Sequence, residues 1–371
     1  MGSVQIVIIG AGFAGAATAY HLTRLGVCDI LILEQEDVAG VHSSGRNAGM
    51  IRQIVSDGVL ASLVKEGAAF IRRRLPGKWP PAVEFHQNGS LLLGAGVEWK
   101  RLLADAEKAQ KTGVPVECLS AQVACQKVSA LEDGDFEGAI WCPTDGVIDI
   151  HALLYGYLQL AQAGGARLLT ATKVLAISTK ENRVTAVFTE SQKIQTEVVV
   201  NAAGAWATEI ARMAGAASLP LCPYRRHLFA TDVLSWVKPD WPIVWDFTDE
   251  VYFRPESGGL LLSPCDQVEH PPGPPSTDPN AALLLYRKLK RYSRLCDLPI
   301  KATWAGLRTL AKDGRFVIGW DPQIHGFFWV AGLGGHGVTA SGAVGRLSAD
   351  VIINHDREGM KDVSPSRFTR Q

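Results

Sequence analysis

Three glycines at fixed positions in a short turn can bring backbone amides against a phosphate. GAGFAG supplies them as Gly10, Gly12 and Gly15. Before it lies a β-branched run, VQIVIIG (4–10); after it Ala14, Ala17, Leu22 and Leu25 keep helical spacing up to Gly26. DILILE (29–34) reads as a second strand. It ends on Glu34, about twenty residues past the last glycine. The glycine pattern by itself is weak, but between a strand and a helix with such an acid it is strong. Gly10 makes the tight turn, Gly12 admits a pyrophosphate and Gly15 lets helix and strand pack closely. The helix start adds free N–H groups and a positive dipole end. Glu34 can accept bonds from a ribose hydroxyl, which fits an adenosine without a 2′-phosphate.

Other stretches must help to position such a ligand. VHSSGRNAGMIRQ (41–53) has no period of two, and Gly45 and Gly49 make it a poor helix, so it reads as a loop that wraps something. ARLLTATKVLAISTKENRVTAVFTE (166–190) reads as a strand and then a hairpin through Glu181-Asn182. KIQTEVVVNAAGAWA (193–207) reads as one strand ending in the small turn Ala202-Ala203-Gly204. In GFFWVAGLGGHGVTASGAVGRLSADVII (326–353) a strand meets a glycine loop and then a helix. Residues 80–143 and 218–300 are richer in proline and aromatics; 241–264 reads as antiparallel strands turning at Thr248-Asp249 and Ser257-Gly258-Gly259. The expected fold class is α/β (α+β overall). A Rossmann-like nucleotide domain is expected over 1–80, 144–217 and 301–371. A mainly antiparallel β substrate domain is inserted over 81–143 and 218–300.

Bulk properties narrow the class. The 371 residues exceed what one core usually holds, and 47% apolar with 20% charged residues is ordinary for a globular enzyme. Net charge is zero and no Lys/Arg tract marks a nucleic-acid footprint. Seven cysteines without a C-x-x-C point to free thiols rather than disulfides or a zinc site. No run of about 18 apolar residues could span a bilayer, and a strand from Val4 leaves no room for a signal peptide. The expected location is cytoplasmic, with peripheral membrane docking as an alternative.

The first β-α-β with Glu34, the loop HSSGRNAGMIR, VVVNAAGAW, TWAGLRTLAKDGRFVIG (303–319) and VAGLGGHGV together resemble the D-amino-acid-oxidase superfamily of FAD enzymes. The likeness covers nearly the whole chain, and glycine oxidase and D-arginine dehydrogenase look nearest within it. It implies FAD as cofactor, contacted by Gly10, Gly12, Phe13, Ala14 and Gly15 at the first turn and by Glu34 and Gln35 after the second strand. It further implies contacts from Ser43, Ser44, Gly45, Arg46, Asn47, Ala48, Gly49 and Met50 in the wrapping loop. Val174, Ala203, Gly204, Trp206, Gly306 and Arg308 follow. Gly332, Gly334, Gly335, His336, Gly337, Val338 and Thr339 close the set at the last helix start, whose N–H groups would stabilise negative charge on the reduced flavin. Asn47 stands where some relatives carry an FAD-bonded histidine, and 303–312 has no cysteine, so the FAD is expected to be non-covalent.

The resemblance also implies the chemistry: hydride transfer from the α-carbon of an amino acid to flavin N5. Arg308 in WAGLR matches the arginine that clamps the substrate carboxylate, a task suited to a guanidinium fork. Tyr252 matches a tyrosine that adds a second bond. Arg52 either touches that carboxylate, caps the flavin or pairs with an acid. His336 either tunes the flavin, faces the amine or is structural, and Met50 would line the ring. Arg225 and Arg226 open a strand, and whether either reaches the site stays open. EFHQNGSLLL (84–93) lacks an acid where D-arginine dehydrogenase has one, so a cationic substrate does not carry over; a D-amino acid, glycine or N-alkyl glycine fits. Alternatives are a 2-hydroxy-acid dehydrogenase on this fold or an FAD subunit of a larger electron-transfer complex. The electron acceptor is oxygen, a quinone or a carrier protein; the lack of lysine in 260–270 favours a dehydrogenase. A helix is expected over 278–295, capped by Asp278. Its Arg287, Lys288, Lys290, Arg291 and Arg294 form either a solvated face or a docking surface for an acidic partner or anionic membrane.

Overall fold

The computed structural model of the protein describes residues 3–80, 82–356 and 360–369. Its α-helices are α1 (Phe13–Arg24), α2 (Gly58–Lys78), α3 (Gly96–Lys111), α4 (Ala121–Lys127), α5 (Ile150–Ala163), α6 (Ala207–Ala214), α7 (Pro279–Leu289) and α8 (Gly337–Ile353).

The apolar run Ile6–Ile9 pairs in parallel with Ile30–Leu33 on one side and Val198–Asn201 on the other. Arg167–Leu169 extends one edge; Phe327–Ala331 and then Val317–Trp320 extend the other, only the last pair being antiparallel. Successive strand residues point to opposite faces, and both faces are covered. Ile6 and Ile8 pack with α1, α5 and α8; Val7 and Ile9 pack with α6 and the hairpin Val174–Lys180/Arg183–Thr189. That hairpin turns through Glu181 and Asn182 at φ 51° and 56°. The strand expected over 193–201 is broken in two. Thr196 Oγ1 accepts from Val198 N–H and donates onward, so Lys193–Gln195 joins the small outer sheet and Val198–Asn201 the central one.

A second sheet of nine described strands carries the aromatics. Leu221–Thr231, Gly259–Ser263, Val251–Glu256 and Ile243–Asp246 run antiparallel to one another, and Ser90–Gly94 joins them in parallel. Ile300–Ala311 pairs along nearly all of Leu221–Thr231. By pairing, this strand belongs to the second sheet, although 301 was the expected return to the nucleotide-binding part; we place the crossing after Ala311. Phe229, Phe253 and Leu262 pack under α7, while Leu228, Tyr252 and Leu261 face the other way, onto Ala48 and Met50.

The helix expected over 278–295 ends at Leu289. Asp278 caps it, accepting from Asn280 N–H at 2.9 Å. Two of the five bases are spent inside the fold. Lys288 donates to the Pro264 and Glu250 carbonyls, and Arg291 pairs with Asp249. Arg287, Lys290 and Arg294 remain exposed. Among the described residues no helix is long and apolar enough to cross a membrane, and no cluster could hold a metal ion. The seven cysteines are free.

Candidate active site

The strands Ile6–Ile9, Val198–Asn201 and Phe327–Ala331 are parallel, so their outgoing loops leave one edge of the sheet. There they enclose a long cavity whose far wall is the second sheet. Three helices, α1, α6 and α8, begin at its wall, and α6 starts on Trp206 with Glu209 in its first turn. Helices α2, α4, α5 and α7 start on Asp57, Ser120, Asp149 and Asp278, each accepting a backbone N–H. By contrast α1 and α8 start on Gly12 and His336, with no side-chain cap and no acid in the first turn. Ser44 Oγ takes the first α1 amide, that of Phe13, and the remaining first-turn amides are left for a ligand.

Gly10 sits at φ 104°, and a Cβ there would lie 2.5 Å from the Ala202 carbonyl oxygen, so only glycine fits between the turn and the neighbouring strand end. Glu34 Oε2 accepts from Ala11 N–H at 2.9 Å and Oε1 from Glu36 N–H at 3.1 Å. The carboxylate therefore braces the glycine turn while also forming cavity wall.

Of the expected cofactor contacts, Gly12, Phe13, Ala14, Gln35, Val174, Ala203, Gly204, Trp206 and Gly306 line this cavity. So do Gly332, Gly334, Gly335, Gly337, Val338 and Thr339. Gly15, Gly45 and Gly49 lie off the wall: the first two pack against the Gly10 and Gly40 carbonyls, and Gly49 abuts the Ile148 carbonyl.

The wrapping loop is more self-bonded than its polarity implies. Ser43 donates to the Leu307 carbonyl at 2.7 Å, and Arg46 to the carbonyls of Val41 and Ala305. Ser44 Oγ accepts from Phe13 N–H. Asn47 donates to Ser43 and Ser44 carbonyls and accepts from Gly49 N–H. Ser43 and Arg46 thus fasten the loop to the strand that carries Arg308.

Arg308 stands half-buried in the wall, and its guanidinium lies against Gly335: a Cβ there would be 1.5 Å from Nη2. Burial and then the charge of Arg226 push it down to about 10, so it stays protonated at neutral pH. Tyr252 is buried beside it, its ring 4.9 Å from that of Trp245. Burial raises the Tyr252 hydroxyl, which keeps it a donor. Arg52 stacks 4.8 Å over Trp245 and donates to the Ile54 carbonyl. Its backbone N–H donates to Thr339 Oγ1, which also donates to the Met50 carbonyl, tying the α8 start to the loop. His336 is half-buried, and desolvation followed by Arg52 and Arg308 holds it well below its ordinary range, hence neutral.

Strand alternation separates the adjacent pair. Arg225 pairs with Asp278 at 2.9 Å at the α7 start, whereas Arg226 enters the cavity wall. Sequence reasoning missed Trp245, Leu228 and Thr309. Thr309 Oγ1 is buried in the wall with no hydrogen-bond partner. It also missed Asp145, which lies beneath the site and accepts from Gln53 N–H, Gln53 Nε2 and Ser90 Oγ. Trp245, Leu228 and Asp145 sit in ordinary apolar or turn contexts with no local signature.

An elongated cavity with a glycine-rich β-α turn, two helix starts free of cap and acid, and an orphaned wall hydroxyl fits a dinucleotide. An arginine and a tyrosine, Arg308 and Tyr252, stand in the same wall, an arrangement open to a flavin-dependent oxidoreductase. Residues 5–351 match the DAO family, FAD dependent oxidoreductase, and the chain belongs to that family. Its cofactor is FAD. Mitochondrial sarcosine dehydrogenase of Mus musculus is 26% identical over 373 residues, covering 95% of this chain and 40% of that protein. The chain therefore spans about two fifths of that relative's length. The crystal structure of L-proline dehydrogenase from P. horikoshii superposes with TM-score 0.89 and 26% identity over 99% of this chain and 98% of that one. Glycine oxidase from Bacillus cereus ATCC 14579 has the same fold, with TM-score 0.83, 22% identity, and 100% and 99% coverage.

Glu34→Ala removes the bond from the glycine-turn amide of Ala11 and the one from Glu36 N–H, and is expected to weaken FAD by at least about tenfold. Flavin fluorescence on dilution reads this; unchanged retention would detach Glu34 from the cofactor site. Because Arg308 loses its charge only above about pH 10, affinity for a non-titrating carboxylate inhibitor should be flat near neutrality. It should fall as pH rises through that value, read as flavin absorbance against inhibitor.

Proposed function

We propose that the protein oxidises the CH–NH bond of an amino acid, a D-amino acid, glycine or N-alkyl glycine, to an imino acid that water then hydrolyses. The observation that carries this reading is Arg308, held against the Gly335 backbone in the cavity wall with Tyr252 beside it. A guanidinium so held, with no carboxylate pairing it among the described residues, suits a substrate carboxylate. The relatives support the substrate class, since they are named for sarcosine, proline and glycine.

Gly10, Gly12 and the α1 start would hold the pyrophosphate, Glu34 the ribose, and the loop from Ser43 to Met50 with the α8 start the ring. Bound FAD supplies the two-electron acceptor for the hydride leaving the α-carbon. Arg308 fixes the carboxylate, and Tyr252 donates a second bond to it. Ala48 and Met50 exclude water on one side of the site, Leu228 and Trp245 on the other. His336 is held neutral, and the cations that hold it so also oppose its taking a proton, so the amine must be neutral before the hydride leaves. This is catalysis by placement, in which most of the gain comes from holding one C–H in a reactive orientation. Cys265, rather than a lysine, follows the strand Gly259–Ser263, which supports a dehydrogenase using a quinone or carrier over an oxidase.

Arg308→Ala should leave FAD bound and cost about 3 kcal/mol in transition-state binding, roughly a hundredfold in kcat/KM. An anaerobic panel of D-amino acids, glycine, sarcosine, proline and 2-hydroxy acids, read by flavin bleaching, tests the substrate class. Bleaching by hydroxy acids alone would replace an amine with an alcohol as the reacting group. Acid precipitation should release all the yellow colour, because Asn47 stands in the loop where a bonded histidine would be.

A further inference from the structure

Arg225 and Arg226 are neighbours in sequence with opposite surroundings. Arg225 meets the Asp278 carboxylate; Arg226 forms no ion pair among the described residues, and the one acid its charge is seen to act on, Asp266, is bonded to the ring and N–H of His227. Arg226 Nε donates to the Asp266 carbonyl and Nη2 to the Cys265 carbonyl, both at 3.0 Å. Both acceptors are neutral, and the described residues give Nη1 none. In the ladder between Leu221–Thr231 and Ile300–Ala311, Arg226 stands opposite Gly306 and Tyr224 opposite Arg308. Arg226 and Arg308 are therefore diagonal neighbours on one sheet face, roughly 7–8 Å apart at the backbone. Gly306 has no side chain because Arg46 packs there: a Cβ would lie 3.0 Å from the Arg46 carbonyl oxygen.

Arg52 closes a third side, over the Trp245 ring. None of Arg52, Arg226 and Arg308 forms an ion pair among the described residues. Asp145, an acid that acts on Arg52, is already spent on Gln53 and Ser90. His336 adds no charge of either sign. The chamber beyond, lined by Arg52, Arg226, Trp245, Cys265 and Arg308, does contain two acids. Each has its own base: Glu98 with Arg101 at 2.7 Å, and Glu250 with Lys288 at 3.8 Å. Neither is free to receive a cationic side chain.

Buried charge without a counter-ion is costly, so the missing anions must arrive with the ligand. One carboxylate on Arg308 leaves Arg226 still unpaired. We propose that Arg226 binds a second carboxylate of the substrate, making this an enzyme for an amino- or imino-dicarboxylic acid rather than for a neutral or basic amino acid. This rests on the reading of Arg308 as the clamp for the first carboxylate. Arg226 is the charge that most depresses Arg308 after burial, as two cations sharing one site would do.

The test compares malonate, succinate and glutarate with their monoamides, titrated against the FAD-loaded enzyme and read by the change in flavin absorption. At least one diacid should bind about tenfold or more tighter than its monoamide. In Arg226→Gln that difference should vanish while the monoamide binds within about twofold of wild type. Equal binding of every diacid and its monoamide to wild type overturns the proposal but leaves the amino-acid reading standing. An undiminished preference in Arg226→Gln overturns the assignment to Arg226. If neither class binds wild type, the Arg308 clamp fails and the second site falls with it. The wild-type comparison decides the matter even if the variant does not fold.

Discussion

The site depends on how closely two helices are allowed to approach. A Cβ on Gly345 of α8 would lie 2.5 Å from the Ala17 backbone of α1, so these helices touch main chain to side-chain-free main chain. Each follows a parallel strand of one sheet, and each begins uncapped at the same edge. Their contact therefore sets two positive helix ends at a fixed spacing in one cavity. Helix α6 also starts at this wall without a side-chain cap, but it carries Glu209 in its first turn, whereas the starts of α1 and α8 carry no acid. Close approach of this kind is a geometric constraint that no amount of apolar burial elsewhere replaces.

On that frame the loop from Val41 to Gln53 acts as a fastener. Its polar side chains look like ligand contacts, yet most are spent on backbone: Ser43 on Leu307, Arg46 on Val41 and Ala305, Asn47 on its own turn. The result is a stiff strap between the first helix start and the strand bearing Arg308. Stiffness serves a reaction that gains mainly from orientation, because a loose wall would return that gain as entropy.

The charges follow a division of labour. Glu34 and Asp145 brace local structure, and the two acids lining the chamber beside Arg226 and Arg308, Glu98 and Glu250, each face another base. There the protein sets guanidinium groups against aromatic rings and carbonyl oxygens, which hold them without neutralising them. The cavity is thereby prepared for an anion.

Local patterns carried much of this in the sequence. The β-branched run, the glycine turn, Glu34 and the last glycine loop are read within a few residues, because turn geometry and strand burial are short-range requirements. The hairpin through Glu181-Asn182 and the Asp278 cap are legible for the same reason. Other features were settled by contacts between distant segments. Ile300–Ala311 joined the second sheet because Leu221–Thr231 offers it a long ladder, a pairing with no local signal. Arg225 and Arg226 are equivalent on paper, and only the strand's facing fixed which one is paired and which enters the cavity. Gly335 reads as one more flexible loop glycine, but its reason is the Arg308 guanidinium lying where a Cβ would be. Asp145 and Gln53 meet across 92 residues. Local sequence determines which backbone shapes are allowed; only tertiary packing decides which charges meet, because that depends on long-range pairing and side-chain facing.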